Sequence, residues 1–118
     1  MGPESLIGRG AVRTIAFEKI AEAVRSLCVA ACHELPTDVL AALERAAGTE
    51  SNPRARRVLD QLVENARIAS RDSIPLCQDT GLAIVFVEQG SEVAVAPAGP
   101  GRQTLVEAID EGVRTGYE

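Results

Sequence analysis

The chain has 118 residues, room for one domain and little more. It is 46% hydrophobic and 25% charged, an ordinary globular balance that excludes a disordered tail. Net charge is −5, and with no basic stripe this argues against a nonspecific nucleic-acid binder.

No apolar run nears the ~20 residues that cross a bilayer, so no membrane association is expected. The opening Met1-Gly-Pro-Glu-Ser-Leu-Ile-Gly-Arg-Gly10 has no apolar signal core. Three cysteines, an odd number, fit a reducing, cytoplasmic compartment with no disulfide framework. The only rings are Phe17, Phe86 and Tyr117, so Ala, Val, Leu and Ile must build the core.

Residues 1–13 are expected to be disordered or extended, and residues 14–72 helical. Thr14 is a candidate cap for a helix running to about Cys32. Its apolar positions Phe17, Ile20, Ala21, Val24, Leu27, Cys28 and Ala31 follow three-four spacing. Pro36 stops continuation, and Thr37 is a candidate N-cap for a helix over Asp38 to Ala47. That helix would bury Val39, Leu40, Leu43 and Ala47, with Gly48 as a left-handed C-cap. Asn52-Pro53 pairs an N-cap with proline at the first helical position. The third helix runs to about Ser70, with Val58, Leu59, Leu62, Val63 and Ala66 on one face. Arg54, Arg56 and Arg57 read as its solvated first turn. Together these make an N-terminal three-helix cluster.

Residues 73–118 hold a loop, a strand and a helix. Leu82-Ala-Ile-Val-Phe-Val-Glu-Gln89 is rich in β-branched residues and apolar on both faces. It reads as a central strand covered on both sides, with Glu92 to Ala96 as a possible partner strand. Thr104-Leu-Val-Glu107 is a capping box opening a helix through Tyr117. Leu105, Ala108, Ile109 and Val113 form its buried stripe, while Gly112 and Gly116 lower its helicity by roughly 1 kcal/mol each. The fold class is therefore α+β. A strand buried on both faces needs flanking strands that these residues do not offer. The expectation is an incomplete portion of a larger α/β domain.

The densest reactive chemistry lies in Ile74-Pro-Leu-Cys-Gln-Asp-Thr-Gly81. Pro75 holds Ile74 extended, and Gly81 permits a tight turn. Between them stand a thiol, an amide, a carboxylate and a hydroxyl on consecutive residues. One reading is a structural turn, with Asp79 and Thr80 bonding local backbone and Cys77 as filler. A second is a nucleophilic Cys77, whose only candidate histidine base is His33. A third is a metal: Cys28, Cys32 and His33 could join Cys77 in a Cys3His zinc site, although no CxxC knuckle exists.

Pro75-Leu-Cys-Gln-Asp-Thr-Gly81 with the apolar Leu82–Val87 resembles the signature of the iron–sulfur hydro-lyases. These are the class I fumarate hydratases and L-tartrate dehydratases, here the α subunit or N-terminal domain. Leu35-Pro-Thr-Asp-Val-Leu40 resembles the family's Leu-Pro-x-Asp-Val-Leu turn. Asn65-Ala66 with Ile68-Ala69 resembles its Glu-Asn-Ala-x-Ile-Ala helix end. Glu107-Ala-Ile-Asp-Glu-Gly-Val-Arg-Thr-Gly-Tyr117 resembles its Glu-Ala-Ile-Asn-Glu-Gly-Val-Arg-x-Gly-Tyr helix.

The resemblance implies reversible dehydration of a small 2-hydroxy dicarboxylate, malate to fumarate or tartrate to oxaloacetate, on a 4Fe-4S cluster. It implies Cys77 as a cluster ligand, Gln78 and Asp79 as substrate-binding, and Asp79 as catalytic. Pro75, Thr80 and Gly81 match loop-shaping positions. The implied partner is a β subunit or C-terminal domain, in a homodimer or α2β2 assembly. Cys28 and Cys32 do not match the family's other cluster cysteines, and the stretch Val95–Arg102 replaces a shorter linker. An N-terminal fragment with one of three cluster ligands is expected to be inactive alone. The alternative is a non-catalytic interaction module or pseudo-subunit that keeps the fold.

Overall fold

The computed structural model describes residues 11–77 and 81–118. The elements follow the order β1 (Arg13–Ala16), α1 (Phe17–His33), α2 (Thr37–Thr49), α3 (Pro53–Asp72), β2 (Val93–Ala96) and α4 (Leu105–Gly116). The architecture is α+β, with three helices, a two-stranded parallel sheet and a last helix.

The chain divides into two compact units. One joins the segment through Arg25 to Ile84–Gly116, and the other comprises Ser26–Ala83 with Tyr117. In the first unit β1 pairs with β2 in parallel, from Arg13 opposite Val93 to Ala16 opposite Ala96. Phe17, fully buried, begins α1 and packs with Ala21 and Ala108, flanked by Ile20, Val95 and Ala98. The Arg102 guanidinium lies 4.8 Å from the centre of the Phe17 ring. It also makes two 3.0 Å hydrogen bonds to the Glu111 carboxylate, a fork that fixes its plane. Gly112 is buried against α1: a Cβ there would fall 2.5 Å from the Ala21 carbonyl oxygen and 2.6 Å from the Val24 Cβ. The residue that costs helix propensity is thus what lets the two helices approach.

In the second unit α2 and α3 pack side by side. Ala47, Val63, Ala66 and Ala69 are buried, and Arg67 bridges to Glu44 at 2.9 Å. The small residues allow close helix packing, while Val39, Val58 and Leu62 remain exposed. Arg54, Arg56 and Arg57 are solvated, as their place in the first turn of α3 predicts.

The local signals for helix starts hold at two of four places. Asn52 caps α3, its side-chain oxygen accepting from the backbone N–H groups of Arg54 (2.9 Å) and Ala55 (3.3 Å). The Thr104 box is reciprocal: Glu107 N–H donates to Thr104 Oγ1, and Glu107 Oε2 accepts from Thr104 N–H at 2.8 Å. Thr14, by contrast, lies inside β1, and α1 starts at Phe17. A four-residue strand whose partner lies some eighty positions away leaves no local trace. Thr37 is already helical, with Pro36 at the cap position and no side-chain cap bond. Gly48 is not a left-handed cap either, because α2 continues to Thr49. The Thr49 hydroxyl donates back to Arg45 O (3.1 Å) and Ala46 O (3.3 Å).

The central strand expected over Leu82–Gln89 is absent. Residues 81–90 carry no strand pairing, and Leu82, Ile84 and Phe86 are 90%, 76% and 94% exposed. The apolar composition was legible, but a strand exists only where a neighbour completes its ladder. The second expected strand does form, as β2, with β1 as its partner.

Among the described residues, Phe17–Thr49 is long and apolar enough by composition to be weighed as a membrane span. It is two helices of 17 and 13 residues broken before Thr37, each shorter than the ~20 residues that span a bilayer.

Candidate functional site

The thiol-bearing loop begins where α3 ends. Ser73 takes the left-handed conformation at φ 53°, and its N–H closes on Ala69 O. A non-glycine residue there turns the chain sharply out of the helix. Ile74-Pro75 then runs on into Leu76, which is held on both sides. The Leu76 N–H donates to Cys32 O at 2.8 Å, and Leu76 O accepts from Asn65 Nδ2 at 2.9 Å. The last turn of α1 and the middle of α3 thus clamp the backbone one residue before Cys77. The Cys77 thiol itself is exposed. Gly81 has φ 38°, which justifies glycine at the far side of the loop. Gln78, Asp79 and Thr80 lie outside the described residues.

Asn65 is a positioning residue that the reading of residue chemistry passed over. It appeared only as part of a motif, although a solvated amide on a helix one element before a reactive loop is a candidate tether.

The rival readings of Cys77 fare as follows. His33 Nδ1 bonds the Val29 carbonyl at 2.6 Å, one turn back along its own helix. The ring is therefore engaged locally, with no bond to Cys77 as a general base would need. Cys28 and Cys32 are half-buried on α1. Among the described residues no group of three or more His, Cys, Asp or Glu side chains converges as a metal site. Among the described residues the Cys3His zinc arrangement, which requires four donors, is thus not brought together. The same observation bears on an iron–sulfur cluster, for which three or four thiolates are the rule. An exposed thiol on a tethered loop fits one ligand position, and the described residues do not make a complete cluster site.

Two electrostatic features stand near this loop. Burial, and then the neighbouring Cys32 sulfur, push the Cys28 thiol above its ordinary value. The charge of Cys32 raises the Tyr117 hydroxyl, and the hydrogen bond between them adds to it.

The family model described as fumarate hydratase (Fumerase) matches residues 21–118. The chain belongs to the fumarate hydratase (Fumerase) family. It is also similar to a protein of Methanocaldococcus jannaschii that carries the provisional name L(+)-tartrate dehydratase subunit alpha. Identity is 37% over 100 residues, covering 85% of this chain and 34% of that protein. The chain therefore spans about a third of the length of the curated relative it matches. No solved structure matches it.

Proposed function

We propose that this chain supplies the cysteine loop of an iron–sulfur hydro-lyase acting on a 2-hydroxy dicarboxylate, malate or tartrate. The observation that carries the reading is the family match across residues 21–118, which includes a loop presenting an exposed thiol. In this reading Cys77, as thiolate, is one ligand of a 4Fe-4S cluster. A cluster held there, by Cys77 and thiolates from elsewhere, would supply Lewis-acid polarisation of the substrate hydroxyl and carboxylate.

The chain's own residues do the rest of the local work. The Gln78 amide hydrogen-bonds the substrate, and the Asp79 carboxylate moves a proton beside the hydroxyl. Pro75 and Gly81 flank the loop, and Asn65 anchors its entry through Leu76 O; Thr80 matches a loop-shaping position of the family. The remaining thiolates and catalytic groups come from the rest of the α polypeptide and from a β subunit or C-terminal domain. The assembly is a homodimer or α2β2, and reduced thiols suit the cytoplasm. The 118-residue chain alone is inactive in this reading, with one thiolate where a cluster needs three or more.

The test is anaerobic reconstitution with iron and sulfide, on this chain alone and on the assembled α and β subunits. The assembly is expected to form a cluster and dehydrate malate or tartrate, while the isolated chain does neither. Cys77→Ala in the assembly should lose the cluster, and Asp79→Asn should keep it while kcat falls. A stoichiometric cluster on the isolated chain, or full activity in Cys77→Ala, would overturn the proposal.

A further inference from the structure

Two demands are unmet in Leu82–Val87. Among the described residues no backbone hydrogen bond reaches this segment, so its N–H and C=O groups present an open ladder. Its side chains divide by parity. Leu82, Ile84 and Phe86 are 90%, 76% and 94% exposed, whereas Val85 and Val87 are 40% and 52% exposed. That is the two-residue period of an extended strand with one face bare. Val87 turns towards the body of the first unit, where it lines an apolar cavity with Ile15, Ile20, Val93 and Leu105. An open ladder beside a bare apolar face is what a further strand covers.

A second copy of the same segment supplies a matching strand, because the bare side chains are symmetric about Ile84. When two copies run antiparallel about that residue, Ile84 meets Ile84, and Leu82 of each copy meets Phe86 of the other. Directly opposed residues of an antiparallel pair share a face, so the bare side chains of both copies gather on one side as cross-strand pairs. Charge selects the direction. Glu88 follows the apolar run. A parallel in-register pair would set the two Glu88 residues side by side at the ~4.8 Å strand spacing. Antiparallel pairing on Ile84 sets them at opposite ends, roughly 27 Å apart at the rise of a strand. That lies beyond the ~10 Å reach of a charge in 0.1 M salt.

We propose that Leu82–Phe86 is a self-pairing strand, through which two copies of this chain associate in an antiparallel β-ladder centred on Ile84. The contact is two-fold, the symmetry by which most identical chains associate. It needs neither cluster nor substrate, so it stands or falls apart from the reaction proposed above. A ladder this short makes a small interface, and the dimer is one that dissociates on dilution.

The test is sedimentation equilibrium of the chain from low to high concentration, with amide exchange measured at both ends of the range. The expected result is a monomer–dimer equilibrium in which the Leu82–Phe86 amides gain protection as dimer forms. Ile84→Lys places two like charges on the axis and should leave only monomer, while Ile84→Val keeps the dimer. Leu62→Lys, at an exposed apolar site on α3, should also keep it. Register is read by oxidation after the three native cysteines are replaced by serine. Ile84→Cys should then cross-link as a disulfide dimer, whereas Glu88→Cys, too far from its copy for a disulfide, should not. Circular dichroism checks that each variant keeps its helices. A monomer at every concentration would overturn the proposal. So would a dimer that survives Ile84→Lys, a Glu88→Cys cross-link, or growth past the dimer. Protection of the Leu82–Phe86 amides in the monomer would assign the segment a cover within its own chain. Protection only on assembly with a β subunit would assign it to that partner, and either result overturns self-pairing.

Discussion

Gly112→Ala sets two opposite effects against each other at one atom. Helix propensity alone favours alanine by about 1 kcal/mol. The added methyl, however, would sit 2.5 Å from the Ala21 carbonyl oxygen, 2.6 Å from Val24 Cβ and 2.9 Å from Val24 Cγ1. Two of those atoms are backbone or backbone-adjacent and cannot rotate away. To regain van der Waals separation α4 must move from α1 by roughly 1 Å, which loosens Ala108 and Phe17 as well. Overpacking of this kind costs about 1–3 kcal/mol, and with so little room to yield the upper half applies. The net expectation is destabilisation by roughly 1–2 kcal/mol.

Gly48→Ala is the internal control. It is a helical position with open space around its Cβ, so the propensity gain of up to about 1 kcal/mol should appear undiminished. Urea unfolding followed by circular dichroism reads both midpoints, with an unchanged slope confirming that only stability moved. Amide exchange then localises each effect, to α4 for Gly112→Ala and to α2 for Gly48→Ala. A Gly112→Ala midpoint at or above that of the parent, beside a raised Gly48→Ala midpoint, would refute the close-packing argument.

Ser73→Gly relieves a left-handed non-glycine residue and should raise the unfolding free energy by up to about 1 kcal/mol, less the entropy that glycine adds to the unfolded chain. Phe17→Ala empties the centre of the first unit and should cost about 3–5 kcal/mol, enough to be read as loss of protection in β1 and α4 amides. Asn52→Ala removes the acceptor for two N–H groups and should cost about 1 kcal/mol by the same unfolding assay. Glu107 is held below the usual carboxylate range by the backbone N–H of Gln103, then by the backbone and hydroxyl of Thr104. A depressed folded value means its stabilisation is present above the unfolded value and is lost as pH falls through the folded one. Midpoints measured from neutral pH down through the carboxylate range should therefore fall less steeply in Glu107→Gln, and a parallel fall in both proteins would contradict the cap's role.

The helices and two of their caps were legible because their causes are local. Asn52 before Pro53 and Thr104 three residues before Glu107 act on N–H groups within one turn. Pro75, Cys77 and Gly81 fall within seven residues, and the family resemblance rested on that motif together with Leu35–Leu40, Asn65–Ala69 and Glu107–Tyr117. Gln78 and Asp79, the residues assigned the substrate chemistry, lie outside the described residues.

What only tertiary structure decided is everything that depends on a distant partner. Arg13–Ala16 is a strand because Val93–Ala96 lies beside it, not because its composition demands one. Leu82–Val87 has the composition of a buried strand, yet exposure follows from having no ladder and no covering layer. Gly112 looked like a weak point of its helix and is instead a place where α1 leaves no room for a Cβ. Asn65 and the Cys32 carbonyl, from two different helices, meet at Leu76 to hold the cysteine loop. Local propensity acts over a few residues, whereas pairing, burial and tethering act through space, and no window of sequence contains both ends of such a contact.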